Sequence, residues 1–152
     1  MGNSHVIDHV GLSVSDYKKA RKFYDAALKP LGWKVVMEYK WDGGVSAGYG
    51  TQGKPFLWIS TGKQTTPHIH LALGAETRPK VGAFYKAAIK AGGKANGGPG
   101  LREHYHPTYY AAFVFDPDGH NIEAVCHAPE TVAKKTASPR KKAAATRRKT
   151  KR

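Results

Sequence analysis

The sequence predicts an α+β domain made of one β-α-β-β-β unit used twice, with eight strands and two helices. Three observations carry this reading. The stretch Phe23-Tyr24-Asp25-Ala26-Ala27-Leu28-Lys29-Pro30-Leu31-Gly32 recurs as Phe84-Tyr85-Lys86-Ala87-Ala88-Ile89-Lys90-Ala91-Gly92-Gly93, at an offset of 61 residues. The same offset, without a gap, sets His9 through Asp16 on His70 through Thr77. Outside these repeats, Asp42-Gly43-Gly44, the segment from Gly50 to Gly53, and Asp116-Pro117-Asp118-Gly119 divide the chain into strand-length pieces.

The elements follow in order. In the first strand Val10, Leu12 and Val14 alternate as an apolar face, which sends Ile7, His9, Gly11 and Ser13 to the other side. Asp16 stands where an N-cap oxygen is needed, and Ala20, Phe23, Tyr24, Ala27, Leu28 and Leu31 form a helical stripe that Gly32 ends. Strands are predicted at 33–40, 45–49 and 56–60. The fifth strand turns Ile69, Leu71 and Leu73 toward the helices and leaves His68, His70 and Ala72 opposite. Thr77 caps a second helix with the stripe Val81, Phe84, Tyr85, Ala88 and Ile89, ended at Gly93. A weak strand near Lys94, a strand over 109–115 and a last strand over 121–126 complete the second unit. In that last strand Ile122, Ala124 and Cys126 face the helices, so Asn121, Glu123 and Val125 share the open face with the two histidines. Two helices cover one face of the sheet, and the uncovered face carries His, His and Glu.

Composition limits the function classes. At 152 residues, 40% of them hydrophobic, the chain suits one globular domain. No run of about 18 apolar residues is present to span a membrane. The N-terminal MGNSHVIDHV is unlike a secretory leader, and the single cysteine, Cys126, forms no intramolecular disulfide and fits a reducing cytoplasm. The net charge of +14 is uneven: residues from 129 on hold ten Lys or Arg against Glu130, a net +9, leaving +5 for residues 1–128. Residues 1–128 are therefore read as the domain and 129–152 as a disordered basic tail, since Val132 is the tail's only large apolar residue. The tail resembles those of linker histones. It is expected either to bind nucleic acid non-specifically, by releasing counterions, or to serve only as a solvated appendage.

The repeat also resembles a known family. IDHVGLSVSDYKKARKFYDAAL and HLALGAET, FYKAAIKAGG and YYAAFVFDPDGHNIEAV are similar to the two modules of the vicinal oxygen chelate superfamily, which includes glyoxalases, bleomycin resistance proteins and extradiol dioxygenases. The resemblance covers about residues 5–127. It implies that the eight strands form one U-shaped mixed sheet with the helices on its convex face. It further implies a divalent metal (Fe, Mn, Ni or Zn) on the concave face, held by His9, His70 and Glu123, and a small oxygen-rich substrate bound to it. The activity so implied is that of a metal-dependent lyase, isomerase or dioxygenase. Aligning Gly53 with Gly119 sets Leu57 opposite Glu123, where a glyoxalase has a fourth, carboxylate ligand, which argues against lactoylglutathione lyase activity.

Glu123 and His68 are the candidate catalytic groups, with His68 read as an acid–base group, a substitute ligand or a wall residue. Trp58, Arg102, His104, His106 and Tyr109 are candidate substrate contacts; the loop from Leu101 to Pro107 is placed at the cavity mouth. The alternative reading is a metal-free small-molecule binder of the resistance type. A homodimer is among the expected assemblies.

Overall fold

The computed structural model describes residues 7–129. Both helices start as the sequence predicts. The Asp16 carboxylate accepts from the Lys19 amide at 3.0 Å and the Thr77 hydroxyl from the Lys80 amide at 3.4 Å, each satisfying a donor that a first helical turn leaves free. The order is β1 (Val10–Val14), α1 (Tyr17–Leu28), a 3-10 turn (Lys29–Leu31), β2 (Lys34–Trp41), β3 (Gly44–Thr51) and β4 (Lys54–Thr61). The second unit repeats it with β5 (His70–Gly74), α2 (Arg78–Lys90), β6 (Lys94–Leu101), β7 (Tyr110–Phe115) and β8 (Asn121–Cys126). The weak strand near Lys94 is eight residues long. Gly32, at φ 84°, ends the first helical segment in the left-handed conformation that glycine adopts without strain. In the second unit Gly92 plays this part instead. Gly93 is needed for close approach, because a Cβ there would lie 2.5 Å from Val114 and 2.7 Å from Phe23.

The strands do not join into one eight-stranded sheet. Each unit closes its own four-stranded sheet, in the orders β1-β4-β3-β2 and β5-β8-β7-β6, with β1 parallel to β4 and β5 parallel to β8. The two helices pack against each other. One apolar core lies between helices and sheets: Phe23, Tyr24, Leu28, Ile59, Val81, Phe84 and Ile122 are all buried within it. Burying each of the large side chains contributes roughly 2 kcal/mol.

The Asp-Pro-Asp-Gly turn between β7 and β8 joins the two units. Buried Asp116 accepts the Tyr24 hydroxyl at 2.7 Å and the amides of Asp118 and His120 at 3.0 and 2.8 Å. Asp118 takes the backbone amide and the hydroxyl of Ser15, while its carbonyl accepts Gln64 at 2.7 Å. Burial, with the neighbouring Asp116, pushes the Tyr24 phenol well above its ordinary range, so it remains a donor. Among the described residues no helix is long and apolar enough to cross a membrane. The basic segment from residue 130 onward lies outside the described residues.

Candidate functional site

The open face of the second sheet carries a chain of hydrogen bonds ending on a carboxylate. Strand β8 sends Asn121 and Glu123 to this face, and its parallel neighbour β5 presents His70 directly beside Asn121. Glu123 is 1% exposed. Its Oε1 accepts the Tyr109 hydroxyl at 2.6 Å, and its Oε2 lies 3.0 Å from His70 Nε2. On the far side of the imidazole, Asn121 Nδ2 lies 2.7 Å from His70 Nδ1, and Asn96 donates to Asn121 Oδ1 at 3.1 Å. With the Asn121 oxygen taken by Asn96, its NH2 faces Nδ1, an arrangement that assigns the proton of a neutral ring to Nε2, toward Glu123. Both oxygens of a desolvated carboxylate are thus held, as burial of a charge requires.

Aromatic walls complete the pocket. Phe113, paired with Glu123 across β7 and β8, stacks on His70 at 6.3 Å, and Tyr105 meets Tyr109 edge-on at 5.2 Å. These residues, with Asn121, enclose about 380 Å³. Desolvation, and then the hydrogen bond to Glu123, pushes the Tyr109 phenol up to about 12. The folded state therefore holds this proton more tightly than an unfolded chain with a phenol near 10. Stability from that proton is complete below about pH 10 and is lost as pH climbs through about 12. Carbon-13 NMR of ring-labelled tyrosine should place Tyr109 near 12 and show it moving back toward 10 in Glu123→Gln. An unmoved titration would mean that Glu123 does not hold the proton.

Of the predicted site residues, the structure brings Tyr109, His70 and Glu123 together and distributes the rest. Among the described residues, no three His, Cys, Asp or Glu side chains form a metal-ligand group. His9 stands apart: its Nδ1 contacts Asp8 at 2.9 Å, and it lies beside Trp33, Phe56 and Leu71 rather than in the pocket of Glu123. His9 and Lys54 together hold the Asp8 carboxyl down to about 2. His9 flanks β1 in the first sheet, whereas Glu123 is on β8 of the second, and a bulge lies opposite His9. Tyr49 pairs with Leu57 but Gly50 with Pro55, so Phe56 is skipped. Val10 pairs with Leu57, so His9 falls opposite that skipped residue and β1 begins after it, whereas β5 begins on His70.

The same bulge corrects the alignment of the two units. Val10 pairs with Leu57 as Leu71 pairs with Ile122, so the counterpart of Glu123 is Trp58, not Leu57. Trp58 stacks on Tyr39 at 5.6 Å and lies over Gly48, whose absent Cβ would sit 2.9 Å from the indole. In the first sheet a large ring over a glycine fills the space that the second sheet leaves open between Glu123 and Phe113. Trp58 is therefore outside the pocket. It is no carboxylate either, so a fourth acidic ligand remains missing.

His68 precedes β5 and turns away, its ring edge-on to buried His120 at 5.8 Å and against Gly119. Arg102 crosses Phe113 at 5.5 Å with Nη2 donating to the Gly98 carbonyl at 2.7 Å, which places it at the rim. His104 packs on Tyr105 at 4.1 Å, and His106 is tied to Thr108 at 3.1 Å. Sequence reasoning missed Tyr105, Phe113 and Asn121 as site residues. Strand parity set Asn121 on the open face without giving it a role, and the pairing of Phe113 with Glu123 places that ring there too.

A family model described as the Glyoxalase/Bleomycin resistance protein/Dioxygenase superfamily matches residues 6–124. The chain belongs to this superfamily. A glyoxalase/bleomycin resistance protein from Albidiferax ferrireducens T118 is 26% identical with a TM-score of 0.62, over 80% of this chain and 98% of that one. A putative glyoxalase from Bacillus halodurans is 25% identical with a TM-score of 0.56, over 81% and 96%. A glyoxalase I mutant from Zea mays shares the fold at 24% identity and a TM-score of 0.61, over 78% of this chain and 46% of that one. Comparison with curated proteins finds no match.

The ligand set implied by the resemblance does not fit this chain. Two of the three donors meet, but His9 lies in a separate concavity, and among the described residues no third His, Cys, Asp or Glu joins His70 and Glu123. No chemical step is therefore routed through a metal.

Proposed function

We propose that this superfamily member is a small-molecule-binding protein whose ligand enters the open face of the second sheet and presents a cationic or hydrogen-bond-donating group to Glu123. The observation that carries this reading is a carboxylate, 1% exposed, forming the floor of an aromatic pocket with each oxygen already oriented by one donor. Each oxygen keeps a further lone pair for a ligand. The aromatic side chains of Tyr105, Tyr109 and Phe113 that line the pocket suit an aromatic or cationic body.

Benzamidine, a small aromatic cation, is a suitable probe. Its titration should produce saturable NMR shifts at Tyr109 and Phe113 that are the same with and without EDTA. Binding lost to chelator and restored by Fe, Mn, Ni or Zn would overturn this reading in favour of a metal-dependent lyase, isomerase or dioxygenase.

A further inference from the structure

The open faces of the two sheets differ in chemistry. The second carries the carboxylate of Glu123 and the imidazole of His70. On the first, Met37 pairs with Gly48 and Gly48 with Trp58, Tyr39 pairs with Ser46 and Ser46 with Ser60, and Trp41 pairs with Gly44. Trp58 and Ser60 alternate with Leu57 and Ile59 of the core, so these rows stand on the side away from the helices. Strand β1 continues them with Gly11 and Ser13, and none of these residues is charged. Glu38 and Lys40, which alternate with the row on β2, fall on the opposite side, where Glu38 meets Arg21 at 2.8 Å and Lys40 at 3.3 Å.

Aromatic rings dominate this uncharged face. The Trp41 indole lies over Gly44 and the Trp58 indole over Gly48, and a Cβ at these glycines would sit 2.3 and 2.9 Å from the respective rings. Tyr39 stacks on Trp58 with the two planes 18° apart. Tyr39 is nevertheless 58% exposed, Trp41 51% and Met37 40%, and the three follow one another at every second position of one strand. Beside Tyr39, the Ser46 and Ser60 hydroxyls share a hydrogen bond of 2.8 Å, which leaves one of their two protons for a ligand.

We propose that this face binds a neutral oligosaccharide, laid along β2 with its sugar rings packed on Tyr39 and Trp41 and its hydroxyls within reach of Ser46 and Ser60. A sugar ring combines apolar C–H surfaces, which pack on aromatic rings, with a rim of uncharged hydroxyls, and this face offers rings and hydroxyls without charge. At a strand's rise the row from Met37 to Trp41 is about 13 Å long, more than one sugar ring, so it suits a chain of several. Single-stranded nucleic acid also stacks on aromatic rows, but its phosphates require a positive groove, which these rows do not supply. A second copy of the chain is a poorer match. The three exposed side chains present roughly 350 Å² together, against about 800 Å² per partner in a stable interface.

The test is a titration of the full chain with cellohexaose, followed by aromatic NMR shifts. Saturable shifts are expected at Tyr39 and Trp41 with none at Tyr109 or Phe113, so the outcome is independent of the ligand proposed for Glu123. Trp41→Ala and Tyr39→Ala should each weaken binding about fivefold or more, whereas Trp41→Phe and Tyr39→Phe, which keep a ring, should stay within about threefold. Cellobiose, too short to span the row, should bind about tenfold more weakly than cellohexaose. No shift at Trp41 up to about 10 mM cellohexaose, or a Trp41→Ala protein that binds like wild type, would overturn the proposal. Sedimentation in which Trp41→Ala turns a dimer into a monomer would give the face to a second copy instead, and indole held there more tightly than cellohexaose would give it to a planar aromatic ligand.

Discussion

Asp116→Ala is expected to lower the free energy of unfolding by about 3–5 kcal/mol. The carboxylate is 4% exposed and satisfies three donors from three places: Tyr24 on α1, and the amides of Asp118 and His120 within the turn. Removing it strands the buried Tyr24 hydroxyl in the core, and a buried polar group without a partner costs about 1–3 kcal/mol. It also loosens the turn through which Asp118 holds Ser15 and Gln64, so the cost reaches the contact between the two units. Asp116→Asn keeps an acceptor for both amides and offers its NH2 to the Tyr24 oxygen; a loss of about 1 kcal/mol is expected. Tyr24→Phe should cost about 1–2 kcal/mol and combine less than additively with Asp116→Ala, because both break one hydrogen bond. Urea midpoints at constant m would measure wild type, the three single variants and the double variant. An Asp116→Ala protein within about 1 kcal/mol of wild type would mean the turn is not what joins the units.

How much of this was legible in the sequence depended on whether the period held. Two helix stripes, except Ile89, which is exposed, both N-caps and the inward set of β8 followed from spacing alone, because a helix of 3.6 and a strand of 2 residues per repeat leave little freedom over five or more residues. Asn121 and Glu123 were correctly assigned to the open face for that reason. Trp58 was not recognised as the counterpart of Glu123, and one residue explains it. Phe56 sits in a bulge, and a single extra residue reverses which side chains of the following strand reach the core. The turn glycines Gly53 and Gly119 both have positive φ and therefore look equivalent, yet the strands after them are out of step by one. Nothing in Lys54-Pro55-Phe56-Leu57-Trp58 announces that slip. Two separate sheets in place of one curved sheet were equally invisible, since edge pairing between β1 and β5 is a tertiary choice with no local signal. His68 misled for a simpler reason: parity was extended two residues beyond the start of β5, where the chain is no longer a strand.

The second large effect is expected at Glu123. Glu123→Gln should weaken benzamidine binding about a hundredfold, or roughly 2–3 kcal/mol, the scale of a hydrogen bond between charged groups out of water. Stability should move little, by about 1 kcal/mol either way, for opposing reasons. The substitution removes a charge that is 1% exposed, which relieves desolvation. One amide oxygen still accepts the Tyr109 hydroxyl, but the new NH2 confronts the proton on His70 Nε2, so one of the two original hydrogen bonds is lost. Stability held within that range while benzamidine affinity falls would mark the carboxylate as a ligand's partner rather than a packing element. Benzyl alcohol separates charge from shape: Tyr105, Tyr109 and Phe113 are unaltered, so its affinity should fall less than about threefold, below 1 kcal/mol. Equal losses for the cation and the neutral probe would mean that the pocket itself had been reshaped, and Glu123 could no longer be assigned as the partner of a ligand's positive group.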